Sequence, residues 1–209
     1  MRVKICGITR LEDALLAVKL GADALGFIFY PGSPRFIKPE SATKIISQLP
    51  ERIKKIAVFV SPSLDEVREQ LNISGADIAQ IHGEHSPDLK QLGGRRLIYA
   101  LPVHSTFKPV NIVQYRFAEA VLLDTYSRKQ HGGTGETFKW EIAVKTQQYG
   151  RIILAGGLNP DNIVAAIKQV NPWMLDVNSG VESEPGIKDH QKLKQLFDNI
   201  KEYLHEPEE

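Results

Sequence analysis

The only cysteine of the chain, Cys6, has the type and position of a residue that transfers protons or attacks a substrate. It ends a short apolar run, in which the alternation of a strand puts Lys4 and Cys6 on one face and Val3 and Ile5 on the other. At such a strand end the thiol faces the crevice toward which helix N-termini point, and their positive dipole ends favour a thiolate. The alternative is a small buried hydrophobic residue, because cysteine is among the most buried residue types.

A carboxylate and a guanidinium supply further chemistry. Asp124 directly follows the apolar run at 120–123, and burial at a strand end raises the pKa of a carboxyl group, which suits a general acid. Arg35 follows the rigid turn at 31–34, where its guanidinium would pair with a carboxylate through two hydrogen bonds. The alternatives are a helix-capping aspartate, although no predicted helix begins near Asp124, and a solvated loop arginine.

Composition and charge exclude several classes of protein. The chain has 209 residues with 26 basic and 25 acidic side chains, so it lacks the positive charge of a surface that binds nucleic acid or anionic membranes. One cysteine excludes an internal disulfide framework and a cysteine-based zinc cluster, and it fits a reducing compartment. The N-terminus has no apolar signal core, and no apolar run approaches the length of a membrane span. We therefore predict a soluble cytoplasmic protein that binds neither nucleic acid nor membrane.

Short apolar strands alternate with amphipathic helices along the chain. After the strand that ends at Cys6, the predicted strands lie at 24–29, 56–60, 78–81, 97–101, 120–123, 152–154 and 174–177. Strand and helix units repeated in this way over a chain of this length predict a single (β/α)₈ TIM barrel, an α/β fold, over residues 1–209. We expect the helix after the fifth strand to be irregular and the polar tail at 205–209 to be frayed.

Three sequence patterns predict where helices begin. Thr9 and Glu12 have the spacing of a capping box, and so do Ser63 and Glu66. Asn159, which is followed by proline, predicts an N-cap with proline at the first helical position. Each of these helices would begin shortly after a strand end, and so beside the residues that offer chemistry.

Closure of a barrel brings the carboxyl ends of all strands to one rim, where barrel enzymes have their active sites. Gly156 and Gly157 follow the seventh strand, and Ser179 and Gly180 follow the eighth. At these strand ends this fold binds phosphate, through backbone N–H groups that glycine leaves accessible. We therefore predict a phosphate site at these two loops, with plain turns as the alternative.

Two polar residues at the rim have strong structural alternatives. Asp176 lies on an inward strand face, and Lys4 on the neighbouring strand also points inward. A buried lysine requires an anionic partner, so an ion pair between Lys4 and Asp176 fits a structural role as well as a catalytic one. His82 shares a face with Gln80. It suits either a hydrogen bond to a ligand in a pocket or a place in the barrel wall where its hydrogen bonds are made within the protein. Asp176 and His82 are therefore candidate binding residues.

Several ordered segments resemble a known family. They are KICGIT (4–9), GFIFY (26–30), SPRF (33–36), QIHG (80–83), LLD (122–124), GGTG (132–135), AGGLNP (155–160) and DVNSGVE (176–182). Together they cover nearly the full chain, and their order is similar to that in the phosphoribosylanthranilate isomerase family of tryptophan biosynthesis.

This resemblance implies an Amadori rearrangement of a small molecule, N-(5-phosphoribosyl)anthranilate, without a metal or organic cofactor. It implies that Asp124 is the general acid that protonates the furanose ring oxygen. Cys6 as thiolate would be the general base that takes the proton from C2 of the sugar, and Arg35 would hold the anthranilate carboxylate. The resemblance leaves open whether the protein is a monomer or a homodimer.

The chain departs from the family pattern at two charges. Glu136 and Lys139 stand where the family often has lysine and aspartate, so no role is carried over to either residue. Two other functions stay open. A barrel that binds a sugar phosphate without turnover would use the same phosphate loops, and a Schiff-base aldolase would use Lys4, which lies one layer below the rim.

Overall fold

The computed structural model describes residues 1–93, 96–104, 106–125 and 139–205, and its centre is a closed barrel of parallel strands. The barrel strands are β1 (Val3–Ile5), β2 (Ala24–Ile28), β3 (Lys54–Val60), β4 (Ile78–His82), β5 (Leu97–Val103), β6 (Ala120–Thr125), β7 (Ile152–Leu154) and β8 (Met174–Val177). They pair in chain order, and β8 closes onto β1 with Lys4 opposite Asp176. The predicted (β/α)₈ barrel is confirmed.

Six α-helices surround the described part of the barrel. They are α1 (Leu11–Leu20), α2 (Pro39–Ile46), α3 (Leu64–Ser74), α4 (Glu141–Thr146), α5 (Ile163–Val170) and α6 (His190–His205). After β4 and β5 the connections contain 3₁₀ helices instead, Pro87–Leu92 and Pro109–Tyr115. The expected irregular helix after the fifth strand is therefore confirmed. The tail predicted to fray lies outside the described residues from 206 onward.

Apolar side chains fill both sides of the barrel wall, as is typical of strands that are buried on two faces. The interior layer is formed mainly by Ala24, Ile56, Val58, Ile78, Ile98, Ala100, Leu122, Ile153 and Met174. The layer between strands and helices includes the fully buried Phe27, Phe59 and Tyr99. No helix in the described ranges is both long and apolar enough to cross a membrane.

The helix starts match the predicted patterns only in part. Ser63 caps α3 as expected, since its hydroxyl accepts a hydrogen bond from the N–H of Glu66 at 3.1 Å. The capping box at Thr9 is wrong because α1 starts one residue later, and the Thr9 hydroxyl donates to the carbonyl of Gly186 instead.

The third predicted helix start is also displaced. Helix α5 begins at Ile163, three residues after the predicted first helical position at Pro160. The hydrogen bonds expected of an N-cap nevertheless form at Asn159. Its side-chain oxygen accepts from the N–H groups of Asp161 and Asn162 at 2.9 and 3.2 Å, and its carbonyl accepts from the N–H of Ile163 at 3.1 Å. Asn159 therefore caps the turn that leads into the helix.

A short antiparallel hairpin between β8 and α6 was not among the predicted elements. It consists of β9 (Glu182–Glu184) and β10 (Ile187–Lys188), and Gly186 in its turn has a φ of +84°. Strands of this length have no readable period, and the Pro–Gly pair at 185–186 is the one local signal of a turn there. The hairpin brings Glu182 and Lys188 to the rim of the barrel.

Candidate active site

A cavity of about 320 Å³ opens at the carboxyl ends of the barrel strands. It is lined by nearly all of the predicted site residues: Cys6, Arg35, His82, Asp124, Gly156, Gly157, Asp176 and Ser179. Gly180 alone among the predicted residues is absent from its wall. The thiol, the carboxyl group and the guanidinium therefore face one space, although they belong to different units of the barrel.

Cys6 lies immediately after β1, and its backbone extends the pairing with β8 because its N–H donates to the carbonyl of Val177 at 2.8 Å. Cys6 is only 4% exposed. Gly26 in β2 lies directly against it, and a Cβ there would approach Sγ of Cys6 to 2.6 Å and Cε of Lys4 to 3.0 Å. The missing side chain of Gly26 therefore makes the space in which the thiol sits.

The surroundings of Cys6 disfavour its ionisation, contrary to the expectation from helix dipoles. Burial raises the pKa of the Cys6 thiol, and the nearby ammonium of Lys4 opposes this only in part. The expectation failed because desolvation in the barrel interior, with the negative charge of Asp176, disfavours the thiolate more than the nearby cations favour it. Most of Cys6 is consequently a thiol near neutral pH.

Asp124 in β6 faces the same cavity and has a carboxyl group that holds its proton unusually well. Burial, and secondly the negative charge of Asp176, raise the pKa of Asp124 to about 6. A hydrogen bond of 2.8 Å from the N–H of Thr125 to Oδ1 of Asp124 lowers this pKa in part. The raised pKa predicted from the sequence agrees with this direction, and it gives the cavity a carboxylic acid able to donate a proton.

The predicted ion pair between Lys4 and Asp176 forms inside the barrel. Nζ of Lys4 lies 2.7 Å from Oδ2 of Asp176 and 3.0 Å from Oε1 of Gln80, and the lysine side chain has no exposure. Burial lowers the pKa of Lys4, but the charges of Asp176 and Cys6 outweigh it, so the net pKa is raised. A Schiff base requires a neutral, accessible amine, and this protonated and buried lysine is neither.

The same network extends to His82. Because an ammonium only donates, the oxygen of the Gln80 amide faces Lys4, and the NH₂ group of the amide lies 2.8 Å from Nε2 of His82. In this arrangement Nε2 of His82 accepts the hydrogen bond from Gln80. Gln80, which the sequence offered only as a neighbour of His82, therefore links this histidine to the buried lysine.

The loops after β7 and β8 meet where a phosphate was predicted. Gly156 has a φ of +85°, and a Cβ on it would lie 2.2 Å from the hydroxyl oxygen of Thr125. A Cβ on Gly180 would lie 2.0 Å from the carbonyl oxygen of Leu158, so this glycine joins the two loops from behind the cavity wall. The N–H groups of Gly157, Ser179 and Gly180 have no hydrogen-bond acceptor among the described residues.

Arg35 is held over the cavity by a residue that sequence reasoning did not select. Its Nε and Nη2 donate to the carboxylate of Glu182 at 2.8 to 3.1 Å, and Glu182 in turn pairs with Nζ of Lys188 at 2.9 Å. Burial raises the pKa of Glu182, but the two cations outweigh it and leave the pKa lowered. The only sequence signal was the position of Glu182 at the end of the segment at 176–182.

Part of the predicted rim lies beyond the described residues. The glycine-rich segment at 132–135 and Glu136 fall within the gap from 126 to 138. Lys139, the second departure from the family pattern, is exposed just before α4. In the described ranges no group of His, Cys, Asp and Glu side chains is arranged to hold a metal ion.

Comparison with known proteins gives one consistent result. The family model of N-(5'-phosphoribosyl)anthranilate (PRA) isomerase matches residues 3–199. The N-(5'-phosphoribosyl)anthranilate isomerase of Citrifermentans bemidjiense is 48% identical over 200 residues, which is 96% of this chain and 97% of that protein.

Solved structures agree with the sequence relatives. The phosphoribosyl anthranilate isomerase of Thermus thermophilus is 40% identical with a TM-score of 0.88, over 97% of this chain and 99% of that chain. A phosphoribosyl anthranilate isomerase in complex with reduced 1-(o-carboxyphenylamino)-1-deoxyribulose 5-phosphate is 36% identical with a TM-score of 0.84, over the same shares of the two chains. This chain therefore belongs to the N-(5'-phosphoribosyl)anthranilate isomerase family.

Proposed function

We propose that in this isomerase of tryptophan biosynthesis Asp124 is the general acid and Cys6 the general base. The reaction is the Amadori rearrangement of N-(5-phosphoribosyl)anthranilate to 1-(2-carboxyphenylamino)-1-deoxyribulose 5-phosphate. The observation that carries this assignment is that the two side chains line one cavity, and that burial raises the pKa of Asp124 to about 6. A carboxyl group with this pKa is still about one-tenth protonated at pH 7.

The first step uses the proton of Asp124. The carboxyl group protonates the furanose ring oxygen, the bond between C1 and this oxygen breaks, and the nitrogen lone pair forms the C1=N bond of a protonated Schiff base. In the second step the thiolate of Cys6 removes the proton from C2, and the C2–H electrons form an enolamine that tautomerises to the ketone. Each proton transfer contributes about 10²–10⁴ in rate when its group is correctly placed.

The two ends of the substrate carry negative charge, and two sets of donors line the cavity. The N–H groups of Gly157 and Ser179 are donors for the phosphate at the loops after β7 and β8, beside Gly156. Arg35 also lines the cavity, and its guanidinium suits the anthranilate carboxylate. Asp176 and His82 line the same cavity, where the sugar hydroxyl groups would be bound.

Direct turnover tests this function. Freshly prepared N-(5-phosphoribosyl)anthranilate is mixed with the purified chain, and the loss of anthranilate-type fluorescence is followed in time. We expect enzyme-dependent conversion to the ketose without added metal, also in the presence of a chelator. Calorimetric binding of the substrate with no product would instead support a barrel that binds a sugar phosphate without turnover. A cytoplasmic location and a monomeric or homodimeric state remain predictions.

A further inference from the structure

Glu182 occupies one particular edge of the Arg35 guanidinium. Its Oε2 accepts from Nε at 3.0 Å and from Nη2 at 2.8 Å, and its Oε1 lies 3.1 Å from Nε. A guanidinium presents two edges that bind a carboxylate through paired hydrogen bonds, a side edge of Nε and Nη2 and an end edge of Nη1 and Nη2. Glu182 takes the side edge. Nη1 has no hydrogen-bond partner among the described residues, so the end edge is left for a second carboxylate.

The stem of Arg35 is fixed as firmly as its head group. Gly7, with a φ of +73°, packs so closely that a Cβ on it would lie 3.0 Å from Cδ of Arg35 and 2.6 Å from Oδ1 of Asn178. The N–H of Arg35 donates to the hydroxyl of Ser33 at 3.1 Å. The arginine side chain is only 11% exposed. Little rotamer freedom therefore remains for it to lose when a ligand binds.

Lys188 offsets the negative charge that Glu182 places beside Arg35. An arginine paired with one buried carboxylate is close to neutral, which weakens its attraction for another carboxylate. Lys188 is only 3% exposed, and its Nζ lies 2.9 Å from Oε1 of Glu182 and 3.2 Å from Oδ1 of Asn178. With Arg35, Glu182 and Lys188 all ionised, the group carries one net positive charge. Burial leaves the pKa of Lys188 below its ordinary value, although the carboxylate of Glu182 opposes this by favouring the ammonium.

We propose that Glu182 and Lys188 are positioning residues for the aromatic carboxylate of the substrate: Glu182 orients Arg35 and Lys188 restores the positive charge that Glu182 removes. This inference rests on the proposed function, because it assumes that Arg35 binds the anthranilate carboxylate. Glu182 contacts both Arg35 and Lys188, and neither Glu182 nor Lys188 lines the cavity that holds the reacting groups. The hairpin of β9 and β10 therefore carries the two residues that prepare Arg35 to select a carboxylated amine.

A pair of ligands isolates this role. One is the product, 1-(2-carboxyphenylamino)-1-deoxyribulose 5-phosphate, and the other is the same molecule with an unsubstituted phenyl ring. Both Kd values are measured by calorimetry. The Kd of the unsubstituted ligand divided by the Kd of the carboxylated ligand reports recognition of the carboxylate alone. We expect a ratio well above one in the wild type, a ratio near one in Arg35→Ala, and about a tenfold loss of the ratio in Glu182→Gln and in Lys188→Met.

The direction in which Glu182→Gln changes the affinity for the carboxylated ligand distinguishes a role in orienting Arg35 from a role of charge alone. Removing a carboxylate makes the site more positive, so a role of charge alone predicts tighter binding. Loss of the orientation of Arg35 predicts weaker binding. In turnover, KM for N-(5-phosphoribosyl)anthranilate is expected to rise about tenfold in both variants, with a smaller change in kcat. Glu182→Asp and Lys188→Arg, which keep the charges, are expected to recover part of the ratio and serve if the neutral variants unfold.

Matched controls come from the same part of the chain. Glu184→Gln removes an exposed carboxylate from β9, and Lys201→Met removes an exposed ammonium from α6. Both are expected to leave the Kd ratio unchanged. The inference is overturned if Glu182→Gln, folded and active, keeps the wild-type ratio or binds the carboxylated ligand more tightly. The proposed function fails separately, if the wild-type chain itself does not convert the substrate.

Discussion

Replacement of Cys6 by serine is expected to lower kcat by about 10²–10⁴, because a serine hydroxyl is far too weakly acidic to exist as an oxyanion near neutral pH. The substitution exchanges one small side chain for another in a space bounded by Gly26 and Lys4. KM is expected to change little, since in the proposed mechanism the thiol acts on the C2 proton and holds neither charged end of the substrate. Stopped assays that quantify the ketose would measure the residual rate.

The variant must be shown to be folded. Circular dichroism and the Kd for the product, both expected to be close to the wild type, provide this control for Cys6→Ser. Cys6→Ala is expected to lose turnover to the same extent, because it too lacks a base. A kcat within tenfold of the wild type in either folded variant would remove the thiol from the mechanism.

Replacement of Asp124 by asparagine is expected to lower kcat/KM by about 10²–10⁴ and to change its pH dependence. In the proposed mechanism Asp124 must be protonated, with a pKa of about 6, and Cys6 must be ionised, with its pKa raised by burial. Between these two pKa values the population with both groups in the reactive state is constant. For the wild type, kcat/KM should therefore rise up to about pH 6 and then stay level. For the variant, kcat/KM should keep rising about tenfold per pH unit.

The substrate phosphate provides an internal check on this result. Phosphate monoesters have a second pKa of about 6, so titration of the substrate would produce a break in both proteins. A break near pH 6 in the wild type that disappears in Asp124→Asn belongs to the enzyme. If both profiles break at the same pH, Asp124 is not the titrating acid.

Asp124→Asn should also make the protein more stable above about pH 6. The folded pKa of Asp124 is raised above its unfolded value, so the favourable contribution of its proton is fully present below the unfolded pKa and is lost as pH rises through about 6. Asparagine never ionises, and at about pH 8 the gain in the free energy of unfolding is about 1–3 kcal/mol. Thermal denaturation at acidic and alkaline pH would measure it and would show that the inactive variant is folded.

The barrel was predictable because its evidence is periodic and local. Apolar runs at regular spacing specify buried parallel strands, and closure of the barrel then places Cys6 and Asp124 on one rim whatever the details of the loops. The inward direction of Lys4 and Asp176 also followed from strand alternation, and the two residues are neighbours in the pairing of β1 with β8.

Features that depend on contacts between distant segments could not be predicted in this way. The acidity of Cys6 depends on how completely the barrel interior excludes water, and the sequence does not contain that quantity. Gly180 contributes through its contact with the carbonyl of Leu158 rather than through a place on the cavity wall. The pairing of Arg35 with Glu182 joins residues 147 positions apart through a hairpin too short to have a pattern.

A crystal structure of the protein with the reduced product bound would test most directly whether Cys6 and Asp124 act on one sugar. The mechanism predicts Sγ of Cys6 within about 3–3.5 Å of C2. It also predicts a carboxyl oxygen of Asp124 within about 2.6–3.2 Å of the C4 hydroxyl, which is the ring oxygen of the substrate. A fully occupied ligand whose C2 lies away from the sulfur, or whose C4 hydroxyl lies away from the carboxyl group, would contradict the mechanism.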